Sequence, residues 1–161
     1  MPAPPLVIEP GWTAIQPFPE LPAARSFVSG DPSGDRLRVA YFRAEGDERL
    51  LARAWFGPGA EGPPGQAHGG SVAAVLDEAM GACCWMLGHP VVAARLTVNF
   101  VDAVPLGLDA RVEAAVERVD GRKVHTRASL SGAGGETLAT ATGLFVVLTG
   151  EQLRALGTRP R

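Results

Sequence analysis

The chain has 161 residues, 46% of them hydrophobic and 20% charged, which suits one packed domain and excludes disorder along its whole length. A formal net charge of −2 supplies no basic field for neutralising phosphates, so nucleic-acid binding is excluded as a principal role. No apolar run approaches the roughly 18 residues of a membrane span. The start, Met1-Pro2-Ala3-Pro4-Pro5, lacks the charged-then-apolar layout of a signal peptide, so a cytoplasmic protein is expected.

Residues 1–35 read as a proline-rich N-terminal arm. Seven of the 14 prolines fall in the first 22 residues, which argues against a helix or a central strand there. Leu6, Val7, Ile8, Trp12 and Phe18 suit an extended arm lying on the domain or on a partner subunit; a floppy tail is the alternative. From residue 36 to 161 the chain reads as a single domain. Alternation from Leu37 to Phe42, a turn at Gly46-Asp47 and the run Leu50–Phe56 indicate two strands. Residues 57–66 form a Gly/Pro-rich loop, followed by one long helix from about Gly70 to Leu87, stopped by Gly88 and Pro90. Four further strands are expected at Val91–Val101, Ala110–Val119, Lys123–Ser131 and Thr137–Leu148, joined by tight turns. Asp120-Gly121 favours a type I′ hairpin. A closing helical turn is expected at Gln152–Leu156. Such an order implies an antiparallel sheet with the lone helix on one face, an α+β arrangement.

The helix is apolar almost all round, so one flat sheet cannot cover it. Either the sheet curls around it, or a second subunit covers the remainder, or both. Asp77 and Glu78 interrupt the apolar run. Gly70, Ala74, Asp77, Gly81 and Cys84 fall on one stripe, small apart from the aspartate, which leaves room for a ligand or another backbone. A buried carboxylate must be paired, protonated or hydrated in a cleft. Pairing with an arginine such as Arg95 is the purely structural alternative. Glu78, about 100° round the helix, suits a solvated or subunit-facing role. Upstream, His68-Gly69-Gly70 places free amide N–H groups at a helix N-terminus, where an oxyanion is favoured. The expected site joins those amides to Asp77, about two turns inside the helix, in one pocket.

Gly62 to Gly81 resembles a known family: His-Gly-Gly, two residues, Ala, Asp three residues on, and Gly four beyond. The likeness extends to Leu96-Thr97-Val98-Asn99-Phe100, to Val119-Asp120-Gly121-Arg122-Lys123 and to Ala139–Phe145. It is to the hotdog-fold acyl-CoA thioesterases of the PaaI-like branch, with thioesterase superfamily members four and five the nearest in pattern. The resemblance implies a curved antiparallel sheet wrapped round a central helix. It also implies homodimers joined edge to edge, or dimers of dimers, with sites at the subunit interface. Position by position, Asp77 matches the catalytic carboxylate, acting as general base or nucleophile. Gly69 matches the amide that polarises the thioester carbonyl, and His68 the histidine beside it. Gly70, Gln66 and Ser71 line the implied substrate site, and Arg122 and Lys123 match a region that meets coenzyme A phosphates. Coenzyme A enters as part of the substrate; no other cofactor is implied.

Two positions depart from that pattern. Ala93 stands where many relatives carry Ser or Thr, and Gly62 where others carry Asn or Gln; Gln66 or Ser71 could supply the missing polar contact. These departures motivate an alternative, a non-catalytic module binding acyl-CoA or an acyl carrier. Other signals fall away. Gly57–Gly62 matches GxGxxG only formally, because Pro63-Pro64 forbids a helix there. His68, His89 and His125 lack metal-ligand spacing. Cys83 and Cys84 read as reduced, buried helix residues that behave as small hydrophobes.

Overall fold

The computed structural model describes residues 6–20 and 25–157. The parts of the arm at 1–5 and 21–24, and the last four residues, lie outside the described residues. Seven strands, β1 (Trp12–Ile15), β2 (Leu37–Ala44), β3 (Leu50–Phe56), β4 (Val91–Phe100), β5 (Asp109–Asp120), β6 (Lys123–Ser131) and β7 (Thr137–Val147), form one antiparallel sheet in the order β1-β2-β3-β5-β6-β7-β4. The sheet curves round α1 (Gly69–Met86), which contacts β3 through β7; α2 (Gly150–Gly157) closes the described chain. This is the α+β hotdog architecture, and it meets the demand of a helix too apolar for a flat sheet.

Alternation fixes which residues reach α1. Val112, Ala114, Val124, Ala128, Leu130, Ala139 and Ala141 point inward and meet Val72, Val75, Leu76, Ala79 and Met80. Thr126 is the one buried polar residue among those described; its hydroxyl donates to the Gly143 carbonyl (3.1 Å) and touches the Met80 sulfur. A side chain at Gly143 would collide with Phe145, Thr126 and Met80, so glycine lets the sheet close on the helix. Cys83 and Cys84 are buried and unbridged, and burial pushes the Cys84 thiol up to about 12.

The N-terminal segment lies on the sheet. β1 pairs with β2, Trp12 packs on Phe42 with ring centroids 5.3 Å apart, and Glu9 bridges Arg53 and Arg111 at 3.6 and 3.1 Å. A four-residue edge strand between prolines satisfies the same constraints that keep proline out of central strands.

Three expectations need correction. β4 and β5 are not a hairpin: β4 lies at the far edge against β7, and residues 101–108 cross beneath the loop before α1. The crossing is pinned by Ala67 N–H to Val104 O (2.8 Å) and Gly107 N–H to Phe56 O (2.7 Å), with Val104 buried. The β5–β6 turn has positive φ only at Gly121 (57°), with Asp120 already paired to Lys123, which suits a type II′ rather than a type I′ turn. Finally, the uncovered flank of α1 is Gly70, Ser71, Ala73, Ala74, Asp77 and Glu78, whereas Gly81 and Cys84 are fully covered. Phe145 on β7 reaches over Gly81 and closes that end of the stripe.

Candidate active site

The loop of residues 57–68 is built to present one turn of helix. A short 3-10 helix (Pro58–Ala60), a bridge between Glu61 and Ala67, and His68 N–H donating to Ala60 O at 2.7 Å fold it back on itself. Gly62 packs directly on His68: a Cβ at position 62 would stand 2.7 Å from His68 Cα and 3.0 Å from its Cβ. The glycine that departs from Asn or Gln is thus a close-packing requirement of this loop.

His68 is the N-cap of α1, in extended backbone, and its Nδ1 accepts the Gly70 N–H at 2.9 Å. Its carbonyl accepts the N–H groups of Ser71 (2.9 Å) and Val72 (3.2 Å) and the Ser71 hydroxyl (2.6 Å). With Nδ1 accepting, the neutral imidazole carries its proton on Nε2. Gly70 and Ser71 are therefore committed to the cap. Gly69 differs: among the described residues its N–H has no acceptor, and it lies at the positive end of an 18-residue helix. The Phe100 ring lies beside Gly69, 3.3 Å from where a Cβ would be.

Asp77 sits near the C-terminal end of the uncovered flank, half-buried. Its carboxyl is held above the usual carboxylate range, first by burial and then by the Glu78 charge, and no described residue bonds or bridges it. Arg95 cannot: it lies opposite Leu144 after a β-bulge at Ala93/Arg95, on the outer face of the sheet with Thr97, His125 and Thr142. Glu78, expected to be solvated or subunit-facing, is partly exposed but not free. Its Oε1 accepts the Tyr41 hydroxyl at 2.6 Å and its Oε2 the Ser26 hydroxyl.

The free amide and the carboxylate are both accessible but far apart along the helix. Eight residues separate Gly69 from Asp77, and at 1.5 Å per residue that is about 12 Å. A carbonyl oxygen and the water attacking the same carbon need donors and base within roughly half that distance. Within one chain the two groups therefore stand at different levels of the helix.

The chain matches the model of the thioesterase superfamily over residues 64–139. It is 34% identical over 119 residues to acyl-coenzyme A thioesterase THEM4 of Xenopus laevis, covering 73% of this chain and 54% of that protein. The chain thus spans about half the length of the curated relatives it matches. A crystal structure of a thioesterase superfamily protein superposes with a TM-score of 0.63 at 28% identity, covering 68% of this chain and 53% of that one. A phenylacetic acid degradation-related protein of Ralstonia eutropha superposes with a TM-score of 0.58 at 25% identity, covering 62% and 76%. The chain belongs to the thioesterase superfamily, in its PaaI- and THEM-like branch.

The remaining positions singled out by likeness to the superfamily are dispersed. Ala93 pairs with Phe145, whose ring lies on Gly81, so it stands a helical turn beyond Asp77. Gln66 is exposed; its backbone bridges Pro105, and its carbonyl accepts the Gly62 N–H at 2.9 Å. The Arg122 guanidinium is spent on the Val147 carbonyl (3.1 and 2.9 Å), while Lys123 is exposed. Both lie near the Val91 end of the sheet, roughly eight strand residues, or about 27 Å, from Phe100 and Gly69. Tyr41 and Ser26 carry no motif in the sequence, and Phe100 stands out there only as the end of the Leu96–Phe100 likeness. Tyr41, the only tyrosine, could have been found as the one inward β2 position with a polar tip.

Proposed function

We propose that this protein hydrolyses acyl-CoA thioesters at a site shared by two protomers, Gly69 of one acting with Asp77 of the other. The observation that carries this reading is Asp77: a half-buried carboxylate with no described partner, destabilised in its charged form, on a largely apolar helix. The roughly 12 Å between Gly69 and Asp77 gives the reason for a second protomer. β4 supplies an interface: it is an edge strand whose Val92, Leu96 and Phe100 remain exposed. Going from Phe100 to Leu96 descends about 13 Å, matching the step from Gly69 to Asp77. Antiparallel pairing of two β4 strands centred near Val98 therefore sets Gly69 level with Asp77 of the partner, and symmetry makes two such sites.

In this reading the thioester carbonyl oxygen receives the Gly69 N–H at the helix N-terminus. Asp77 of the partner takes a proton from a water whose oxygen attacks the carbonyl carbon. The oxyanion collapses, the C–S bond breaks, and the CoA thiolate leaves with the electron pair and takes up a proton. The half-exposed carboxylate leaves room for that water, which favours the general-base role over direct attack. Lys123, exposed at a hairpin tip, is the freer of the two hairpin cations for a coenzyme A phosphate.

Release of free thiol over a panel of acyl-CoAs tests the reading, with D77N as the decisive variant. Its turnover is expected to fall by at least about 100-fold with the fold intact. Parent-like turnover by D77N refutes the assignment, and tight acyl-CoA binding without hydrolysis by the parent establishes the binding module instead.

A further inference from the structure

Two segments converge on the side chain next to Asp77. Glu78 takes one hydrogen bond from Tyr41 on β2 (2.6 Å) and one from Ser26 of the N-terminal segment. Tyr41 is 6% exposed, and burial, then the Glu78 charge, raise its ionisation well above the phenol range, so it remains a donor. Ser26 is itself fixed, accepting the Ser29 N–H at 3.2 Å, and Phe18 stands edge-on to both Tyr41 and Trp85 with centroids 6.3 Å away. Both carboxylate oxygens are thus engaged by neutral hydroxyls.

No described cation forms an ion pair with this carboxylate: Arg25 beside Ser26 and Arg43, two residues beyond Tyr41 on β2, are exposed and make none with it. Arg53 on β3 and Arg111 on β5 lie on the outer face, paired with Glu9, Asp109 and Glu113, and Arg95 on β4 is on that face too. From β6 the inward polar group is Thr126, bonded to Gly143, and the β7 residues facing α1 carry no charge. Along α1 the neighbours that titrate are Asp77 beside it, His68 at the N-cap, and the buried Cys83 and Cys84.

We infer that Glu78 is a positioning residue for Asp77: a second carboxylate, fixed by Tyr41 and Ser26, whose charge makes its neighbour a stronger base. The inference rests on the catalytic assignment of Asp77 made above. A tether alone would not need a charge, because a glutamine could accept from Tyr41 and donate to Ser26 in the same places. The raised proton affinity of Asp77, set by burial and then by Glu78, is what such a charge produces in a half-buried site.

The test uses the full chain as parent, D77N, E78Q and E78D. One readout is the pH dependence of octanoyl-CoA hydrolysis. The other, independent of activity, is a 13C NMR titration with carboxyl-labelled aspartate, the Asp77 signal being identified by its loss in D77N. In E78Q the Asp77 midpoint and the acid limb are expected at lower pH. On that limb the variant retains about threefold more of its own plateau rate than the parent does. E78D, which keeps the charge, stays with the parent. An unmoved Asp77 midpoint in E78Q, or E78D behaving as E78Q, overturns the inference while an inactive D77N leaves the catalytic reading standing. An active D77N overturns that reading, and the role of Glu78 with it.

Discussion

Replacing Gly69 by proline removes one hydrogen atom of interest and little else. Gly69 is the first helical residue after the His68 cap, the position where proline is best tolerated, and its N–H serves no acceptor among the described residues. The backbone of His68, at φ −61° and ψ 136°, already has the extended form that a following proline requires. Ring closure lowers the entropy of the unfolded chain, a gain of about 0.4–1 kcal/mol. Against it stands the Phe100 ring, 3.3 Å from the new Cβ and obliged to give by a few tenths of an ångström. Because Phe100 is 58% exposed it can do so cheaply, and the melting temperature should change little. Catalysis should not be spared. Loss of one oxyanion donor costs about 2.7–4 kcal/mol of transition-state stabilisation, or roughly 100- to 1,000-fold in kcat. Thiol-release kinetics and a thermal melt on the same preparation read both quantities. If G69P turns over within a few fold of the parent, this amide does not hold the oxyanion and the carbonyl binds elsewhere.

Three further outcomes follow from the geometry. Gly62→Ala forces its Cβ against His68 Cα, displaces the cap, and should cost about 1 kcal/mol or more of stability in a denaturant titration, together with a drop in kcat. Because the folded state binds the Asp77 proton more tightly than the unfolded chain does, Asp77 costs stability above its native titration; the cost fades as pH falls through that range and is absent below the ordinary carboxylate range. D77N should therefore melt above the parent at neutral pH and lose that advantage in acid; a variant that melts lower at neutral pH contradicts the strain. In a single turnover with excess enzyme in 18O-labelled water, general-base catalysis puts the label in the released acid at once, whereas label appearing first in the protein marks Asp77 as a nucleophile.

Much of this arrangement was legible in the sequence because it follows from periodicity and punctuation. The helix is Gly69–Met86 where its apolar run and Gly88 stop indicated Gly70–Leu87, and β2 to β7 fall within a few residues of their alternating runs. Strand order was not legible: alternation says which residues share a face, but not that β4 leaves its sequence neighbour β5 and joins β7. Nor was β1, whose four residues between prolines carry too short a pattern. Tight packing of Phe145 on Gly81, which splits the small-residue stripe, depends on sheet curvature and has no local signal. The separation of Gly69 from Asp77 is different. It was present in the spacing all along, since eight residues of helix have only one length.

The central claim is that amide and carboxylate meet across a subunit boundary, and mixed dimers of G69P and D77N test it directly. Each homodimer is expected to be nearly inactive. After unfolding and refolding an equimolar mixture, half of the dimers are hybrids, and each hybrid carries one site with both lesions and one with none. Activity is then predicted to recover to about a quarter of the parent level. If Gly69 and Asp77 of the same chain serve one site, every site in the hybrid carries a lesion, and the mixture stays as inactive as its components.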